Sequence, residues 1–199
     1  MTAERHRTTA AAVDPAGDPL TYNVAGLLAQ PAGMTREFEV HGVPVDPGEG
    51  LVATRPLDGR VRLTRTNRGL LVEADLVTAL AGECRRCLRA VETPVEVRIE
   101  EEARPSIDLV SGLPTSLEEG EDLEMTRLTD HHELELRPLV HEAISLAEPL
   151  APLCEPDCPG LCATCGERLS TGHEHPDEEI DPRLEALRSF KVDGGDETG

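Results

Sequence analysis

Residues 91–100, Val-Glu-Thr-Pro-Val-Glu-Val-Arg-Ile-Glu (VETPVEVRIE), alternate Val91, Thr93, Val95, Val97 and Ile99 with Glu92, Pro94, Glu96, Arg98 and Glu100. A period of two places the first set on one face of an extended chain and the second on the other, the signature of a half-buried β-strand. The same pattern recurs upstream. Residues 70–81 carry Val72, Ala74 and Leu76 on an inner face, and the CRRC of residues 84–87 then forms a tip between two strands. Residues 59–66 (GRVRLTRT) set Val61 and Leu63 against Arg60, Arg62 and Thr64, and Asn67-Arg68-Gly69 follows as a turn signal. Further back, Phe38 and Val40 alternate with Glu37, Glu39 and His41. Successive strands joined by short turns predict an α+β, mainly β fold: a small curved antiparallel sheet or partly open barrel with one or two helices.

The remaining chain supplies appendages to that sheet. Residues 20–29 (LTYNVAGLLA) read as a strand entering a short helical turn. Between residues 100 and 135 twelve carboxylates face only Arg104 and Arg127, a density that opposes burial and predicts an exposed loop, with one strand near residues 122–128. Pro138 suits the first turn of a helix whose apolar stripe is Leu139, Val140, Ala143, Ile144 and Ala147, with Pro149 marking its end. This helix is expected to cap the sheet. A last helix is predicted over residues 181–190, where Leu184 and Leu187 follow an Asp-Pro start. The organisation is then a disordered tail (1–19), a β-rich core with acidic loop and capping helix (20–150), a C-terminal zinc knuckle (151–170), and an acidic linker, short helix and disordered end (171–199).

Composition narrows the function classes. The 199 residues hold 19 Lys and Arg against 39 Asp and Glu, a net charge of −20. With no Trp, one Tyr and two Phe, the core must be aliphatic, and reading RNA bases by aromatic stacking is nearly excluded. Apolar stretches are too short to span a membrane, and the start lacks a Leu-rich leader, so a cytoplasmic location is expected. No nucleophile elbow, phosphate-binding loop or dinucleotide fingerprint is present, which points to binding rather than catalysis.

Six cysteines carry the sharpest chemistry. In a reducing compartment their paired spacing favours metal over disulfides. Cys154-x3-Cys158-x3-Cys162-x2-Cys165 places four soft ligands within twelve residues, with Gly160 and Gly166 to let the backbone turn toward sulfur. The expected cofactor is a structural Zn²⁺ held by Cys154, Cys158, Cys162 and Cys165. An alternative set, Cys84, Cys87, Cys162 and Cys165, would pin the C-terminal segment to the hairpin tip. Four protein ligands leave no open coordination position, which speaks against a zinc hydrolase. Cys84 and Cys87 taken alone allow a thiol oxidoreductase, but such a pair opens a helix in thioredoxin-like proteins and here joins two strands. His173 and His175 could substitute for a cysteine ligand, though they read as solvated, and His131 and His132 have no evident partner.

Arginine is clustered. Arg60, Arg62, Arg65 and Arg68 lie on the hairpin and Arg85, Arg86 and Arg89 surround the CRRC, so a basic face on the sheet is a candidate contact for RNA phosphates. The acidic run is a candidate contact for a basic protein. A zinc-ribbon regulatory protein is a further alternative, but neither predicted helix is basic as a DNA-reading helix requires.

The segments NVAGLLAQPAGMTREFEV, GECRRCLRAVE, LRPLVHEAISLAEPLAPLCEPDCPGLCATCG and DPRLEAL occur in that order. In that order they resemble the bacterial YceD family, over roughly residues 20 to 190. The resemblance implies a cytoplasmic, non-enzymatic factor needed for accumulation of 23S ribosomal RNA and so for large-subunit assembly. Its implied partner is large-subunit rRNA or a basic ribosomal protein, with neither a membrane nor a small-molecule substrate. It supplies no catalytic residues and draws attention to Cys84, Arg85, Arg86 and Cys87.

Overall fold

The computed structural model describes residues 17–48, 50–115 and 126–169, together with Gly172, Glu174 and Arg183. The tail up to residue 16, much of the acidic loop, His173, His175 and the helix expected at 181–190, apart from Arg183, lie outside the described residues. Among the described residues six strands and two helices follow in the order β1 (Thr21–Asn23), α1 (Ala25–Leu28), β2 (Thr35–Val43), β3 (Ala53–Arg65), β4 (Leu70–Glu83), β5 (Ala90–Ala103), β6 (Glu133–Glu135) and α2 (Arg137–Leu146).

The expected meander is present. β2, β3, β4 and β5 pair antiparallel in sequence order, and β2 and β5 form two separate edges, so the sheet is open rather than a closed barrel. The register follows the period-two pattern: Phe38 lies opposite Val61, Val61 opposite Ala74, and Ala74 opposite Ile99. These side chains point to one face and are buried. β3 starts six residues earlier than its alternation indicates. Its first half is irregular, with register shifts between Ala53 and Asp58 and Gly59 at φ +145°, where an added Cβ would collide with the Asp75 carbonyl. The bulge hides the strand period, and Pro56 sits in this stretch, beyond the last β2 pairing at Leu57, where a missing amide costs little.

β1 and β6 make a separate two-stranded ribbon, Tyr22 opposite Leu134. β6 falls inside the acidic run that charge alone assigns to an exposed loop. It has a single apolar residue, and that residue, Leu134, is fully buried between Glu133 and Glu135. α2 begins with Pro138 in its first turn, buries Val140 and Ile144 and packs on β5, as the apolar stripe predicts. The inward residues of the sheet form one cluster with Leu20, Tyr22, Leu27, Leu128, Leu134, Leu136, Val140 and Ile144. The core is aliphatic apart from Tyr22 and Phe38, whose rings pack 4.6 Å apart. Asp18, placed by composition in the tail, instead forms a two-pronged ion pair with Arg137 at the start of α2, each bond 2.7 Å long.

The other face of the sheet is open, and it is not basic. Cross-strand rows run Glu37, Arg62, Glu73, Glu100 and Glu39, Arg60, Asp75, Arg98. Arg62 is bound by Glu37 at 2.8 Å, and Arg98 approaches Asp75 and Glu96 at 3.7 and 3.8 Å. The expected basic face fails at Arg60 and Arg62 because each lies opposite carboxylates on both neighbouring strands, a pairing invisible until register is known.

Candidate metal centre

β4 and β5 project beyond the core and are joined by the tip 84–89. The tip closes tightly: the Cys84 amide donates to the Arg89 carbonyl at 2.8 Å and the Leu88 amide to the Cys84 carbonyl at 2.9 Å, with Leu88 at φ +57°. After α2 the chain returns to this tip, where the Arg85 amide donates to the Pro152 carbonyl at 2.9 Å. That return brings Cys154 and Cys158 onto the tip cysteines. The Cys84 and Cys158 sulfurs lie 3.7 Å apart and those of Cys87 and Cys154 3.6 Å apart. All four sulfurs lie within 4.8 Å of one another.

This geometry fits a metal. A tetrahedral ion with metal–sulfur bonds of about 2.3 Å has sulfur–sulfur edges of about 3.8 Å, whereas a disulfide needs about 2.05 Å. Cys84, Cys87 and Cys158 are buried and Cys154 is partly so. The thiols also resist full ionisation without a cation. Burial pushes Cys84 up, but backbone hydrogen bonds from Cys154, Cys87 and Arg86 outweigh it and bring it down to about 6. Burial and hydrogen bonds from the other thiols push Cys154 up to about 12, and burial raises Cys158 as well. A bound dication would remove that penalty by neutralising the shared charge.

Neither ligand set expected from spacing is the one brought together; each contributes one pair. Cys162 and Cys165 lie outside this group of four, on a small hairpin of their own. There the Cys162 amide donates to the Glu167 carbonyl at 2.7 Å, the Gly166 amide to the Cys162 carbonyl at 2.9 Å and the Thr164 amide to the Cys162 sulfur at 3.4 Å. Gly166 has φ +75° in that turn. Contiguity along the chain pointed to the local quartet. What overrides it is α2, which reverses the chain and delivers residue 154 to a tip 67 residues earlier.

Arginines buttress the centre. Arg86 donates to the Cys158 carbonyl and Arg168 to the Cys87 carbonyl, each at 3.0 Å. Gly160 (φ +85°) passes the Arg86 carbonyl so closely that a Cβ would sit 3.2 Å from it. Arg85, Arg86 and Arg89 are all exposed around the quartet. Arg86 is therefore anchored by the segment carrying the second cysteine pair.

The fold and centre define a small β-rich protein with a closed thiol quartet able to hold a metal ion. The chain belongs to the YceD family: the family described as "Large ribosomal RNA subunit accumulation protein YceD" matches residues 72–191. Uncharacterized proteins of Mycobacterium tuberculosis and Mycobacterium bovis are each 33% identical over 194 residues, covering 94% of this chain and 84% of the relative. An uncharacterized protein of Mycobacterium leprae is 31% identical over 127 residues, 64% of this chain and 55% of that protein. No solved structure matches. The family name ties the chain to large-subunit ribosomal RNA accumulation, and no described helix is long and apolar enough to cross a membrane.

Proposed function

We propose that this protein supports accumulation of 23S ribosomal RNA and assembly of the large ribosomal subunit by binding in the cytoplasm, not by catalysis. Its zinc is structural, held by Cys84, Cys87, Cys154 and Cys158. The observation that carries this reading, beside family membership, is the quartet itself: four thiols fill a tetrahedral ion's coordination and leave no position for substrate or water. The partner is large-subunit rRNA or a basic ribosomal protein. The open sheet face, with five carboxylates against three arginines over its two central rows, suits a basic protein. Arg85, Arg86 and Arg89 around the tip are the proposed binding side chains there.

In a strain lacking the protein, 23S rRNA and large subunits are expected to fall, and the wild-type chain to restore them. Normal subunit profiles in that strain would remove the proposal. The competing oxidoreductase reading draws on the Cys84 thiol lying at about 6 within a CxxC. Insulin reduction separates the two: turnover that vanishes in Cys84→Ser/Cys87→Ser, with subunit profiles unchanged, would favour the enzyme.

A further inference from the structure

We propose that the thiol quartet is a site of reversible oxidation by peroxides, in which Cys87 joins Cys154 and Cys84 joins Cys158. Two disulfides then take over the clasp between the β4–β5 tip and the returning chain. The ion they displace rests on the function proposed above; the pairing rests on the positions of the sulfurs alone. Each contact joins a cysteine of the tip to one of the returning chain, at 3.6 Å for Cys87 and Cys154 and 3.7 Å for Cys84 and Cys158. A disulfide of about 2.05 Å is reached from there by an approach of about 1.6 Å. The tip is the fixed side, its turn closed by the backbone bonds of Cys84 and Leu88, and Arg86 holds the Cys158 carbonyl beside it at 3.0 Å. The moving side is the returning chain, where Glu155, Pro156 and Asp157 between the two cysteines are exposed and oppose no packing to the shift.

Access to the four sulfurs is unequal. Cys84 and Cys158 are buried, whereas Cys154 is half-exposed. Cys87 is buried too, but it lines a surface cavity of about 360 Å³ with Leu88, Leu161, Gly166, Glu167 and Arg168, room enough for a molecule little larger than water. Oxidation therefore begins on the Cys87–Cys154 pair. The Cys154 thiolate attacks one oxygen of hydrogen peroxide, the O–O bond breaks, and the departing hydroxide takes a proton from solvent to become water. The Cys87 thiolate then attacks the resulting sulfenic sulfur; the S–S bond forms and the sulfenic hydroxide leaves as a second water, again with a solvent proton. Two thiolates have given up two electrons, and one peroxide has taken them. A second peroxide does the same for Cys84 and Cys158. No thiolate is then left to hold an ion, yet both tethers remain. Chelation differs, because it leaves free thiols and no tether. A dithiol reductant, oxidised to its own disulfide in the exchange, restores the reduced quartet.

The test is titration of the zinc-loaded full chain with hydrogen peroxide, first one equivalent and then two. Disulfides are mapped by mass spectrometry of non-reduced peptides, zinc release is read with a colorimetric chelator, and backbone protection is read by hydrogen exchange. One equivalent is expected to give the Cys87–Cys154 link, and two to add Cys84–Cys158 with release of the zinc. Amides of residues 151–169 should then stay within about threefold of their protection in the zinc form, although the metal is gone. A dithiol reductant with added zinc should return the starting state. Cys165→Ser removes an exposed thiol outside the quartet and should change neither the map nor the release rate. Links within Cys84–Cys87 or Cys154–Cys158, oxidation that stops at Cys165, zinc that stays bound after two equivalents, or protection lost with both cross-links in place would overturn the proposal. A chain that takes up no zinc defeats the metal reading instead, and the same map made on its metal-free thiols decides the pairing separately.

Discussion

Removing the metal proposed for the quartet is expected to release residues 151–169 from the β4–β5 tip while the sheet stays folded. Packing at this end is slight: a cluster separate from the main core buries Cys84, Cys87 and Cys158, with Val91, Cys154 and Leu161 half-buried against it, and Cys162 is buried on its own small hairpin. Three thiols of that size contribute on the order of 3 kcal/mol by buried area. A structural zinc contributes roughly 10–16 kcal/mol in small zinc-dependent domains, so such an ion in the quartet would outweigh the local packing several-fold. The core holds Leu57, Val61, Leu63, Leu76 and Val97 nearly or fully buried without help from any cysteine. Hydrogen exchange read by mass spectrometry, before and after chelation, separates the two regions. Amides of 151–169 should lose protection by about 100-fold or more, while those of β4 from Leu70 to Leu80 should not move. Cys87→Ser should reproduce the chelated state, and Cys162→Ser should retain the quartet's ion. Protection of 151–169 that survives complete metal removal, verified by elemental analysis, would refute this account, as would an empty quartet in Cys162→Ser.

Three further outcomes test the fold. Leu76→Ala, at a position 1% exposed in β4, should cost about 2–5 kcal/mol in guanidinium unfolding. Gly59→Ala should cost about 1–3 kcal/mol, because the residue must hold φ +145° against the Asp75 carbonyl; an unchanged midpoint would remove the bulge argument. The hydrogen bonds from Arg137 hold the Asp18 carboxyl below its usual range. The stability it contributes is present above the unfolded carboxylate value of about 3.9 and is lost as pH falls through the depressed folded value. Asp18→Asn should therefore cost up to about 1 kcal/mol near pH 7, and the difference from wild type should shrink on acidification; a pH-independent difference would contradict the ion pair.

The sheet was legible wherever alternation is uninterrupted. Val95, Val97 and Ile99 in β5 and Phe38 and Val40 in β2 identify their inward faces without any knowledge of the partner strand. Legibility ends where the signal is not local. β6 has one buried leucine between two glutamates and a partner more than a hundred residues away, so its burial cannot be inferred from its neighbours. β3 before Gly59 loses its period to the bulge. The cysteine clustering was legible as chemistry but not as a set of neighbours, since spacing shows which cysteines are near in the chain and the return of the chain after α2 decides which are near in space. The basic face failed for a related reason: Arg60 and Arg62 look clustered in sequence, and only register reveals Glu37, Glu73 and Asp75 beside them. Arg104 and Arg127 stand as exceptions in the acidic run, and the structure joins their backbones in a bridge that spacing does not reveal.

Among the described residues, β5 closes the order of the main sheet with no fifth strand beside it. An exposed strand of fourteen residues is normally an invitation to self-assembly, since another copy can add its backbone to the free amides. Here Pro94 removes one of those amides, and Glu92, Glu96, Glu100, Glu101 and Glu102 would repel their own counterparts in a neighbouring chain. By charge and by a missing hydrogen, such a rim disfavours addition of a second copy's strand to the sheet.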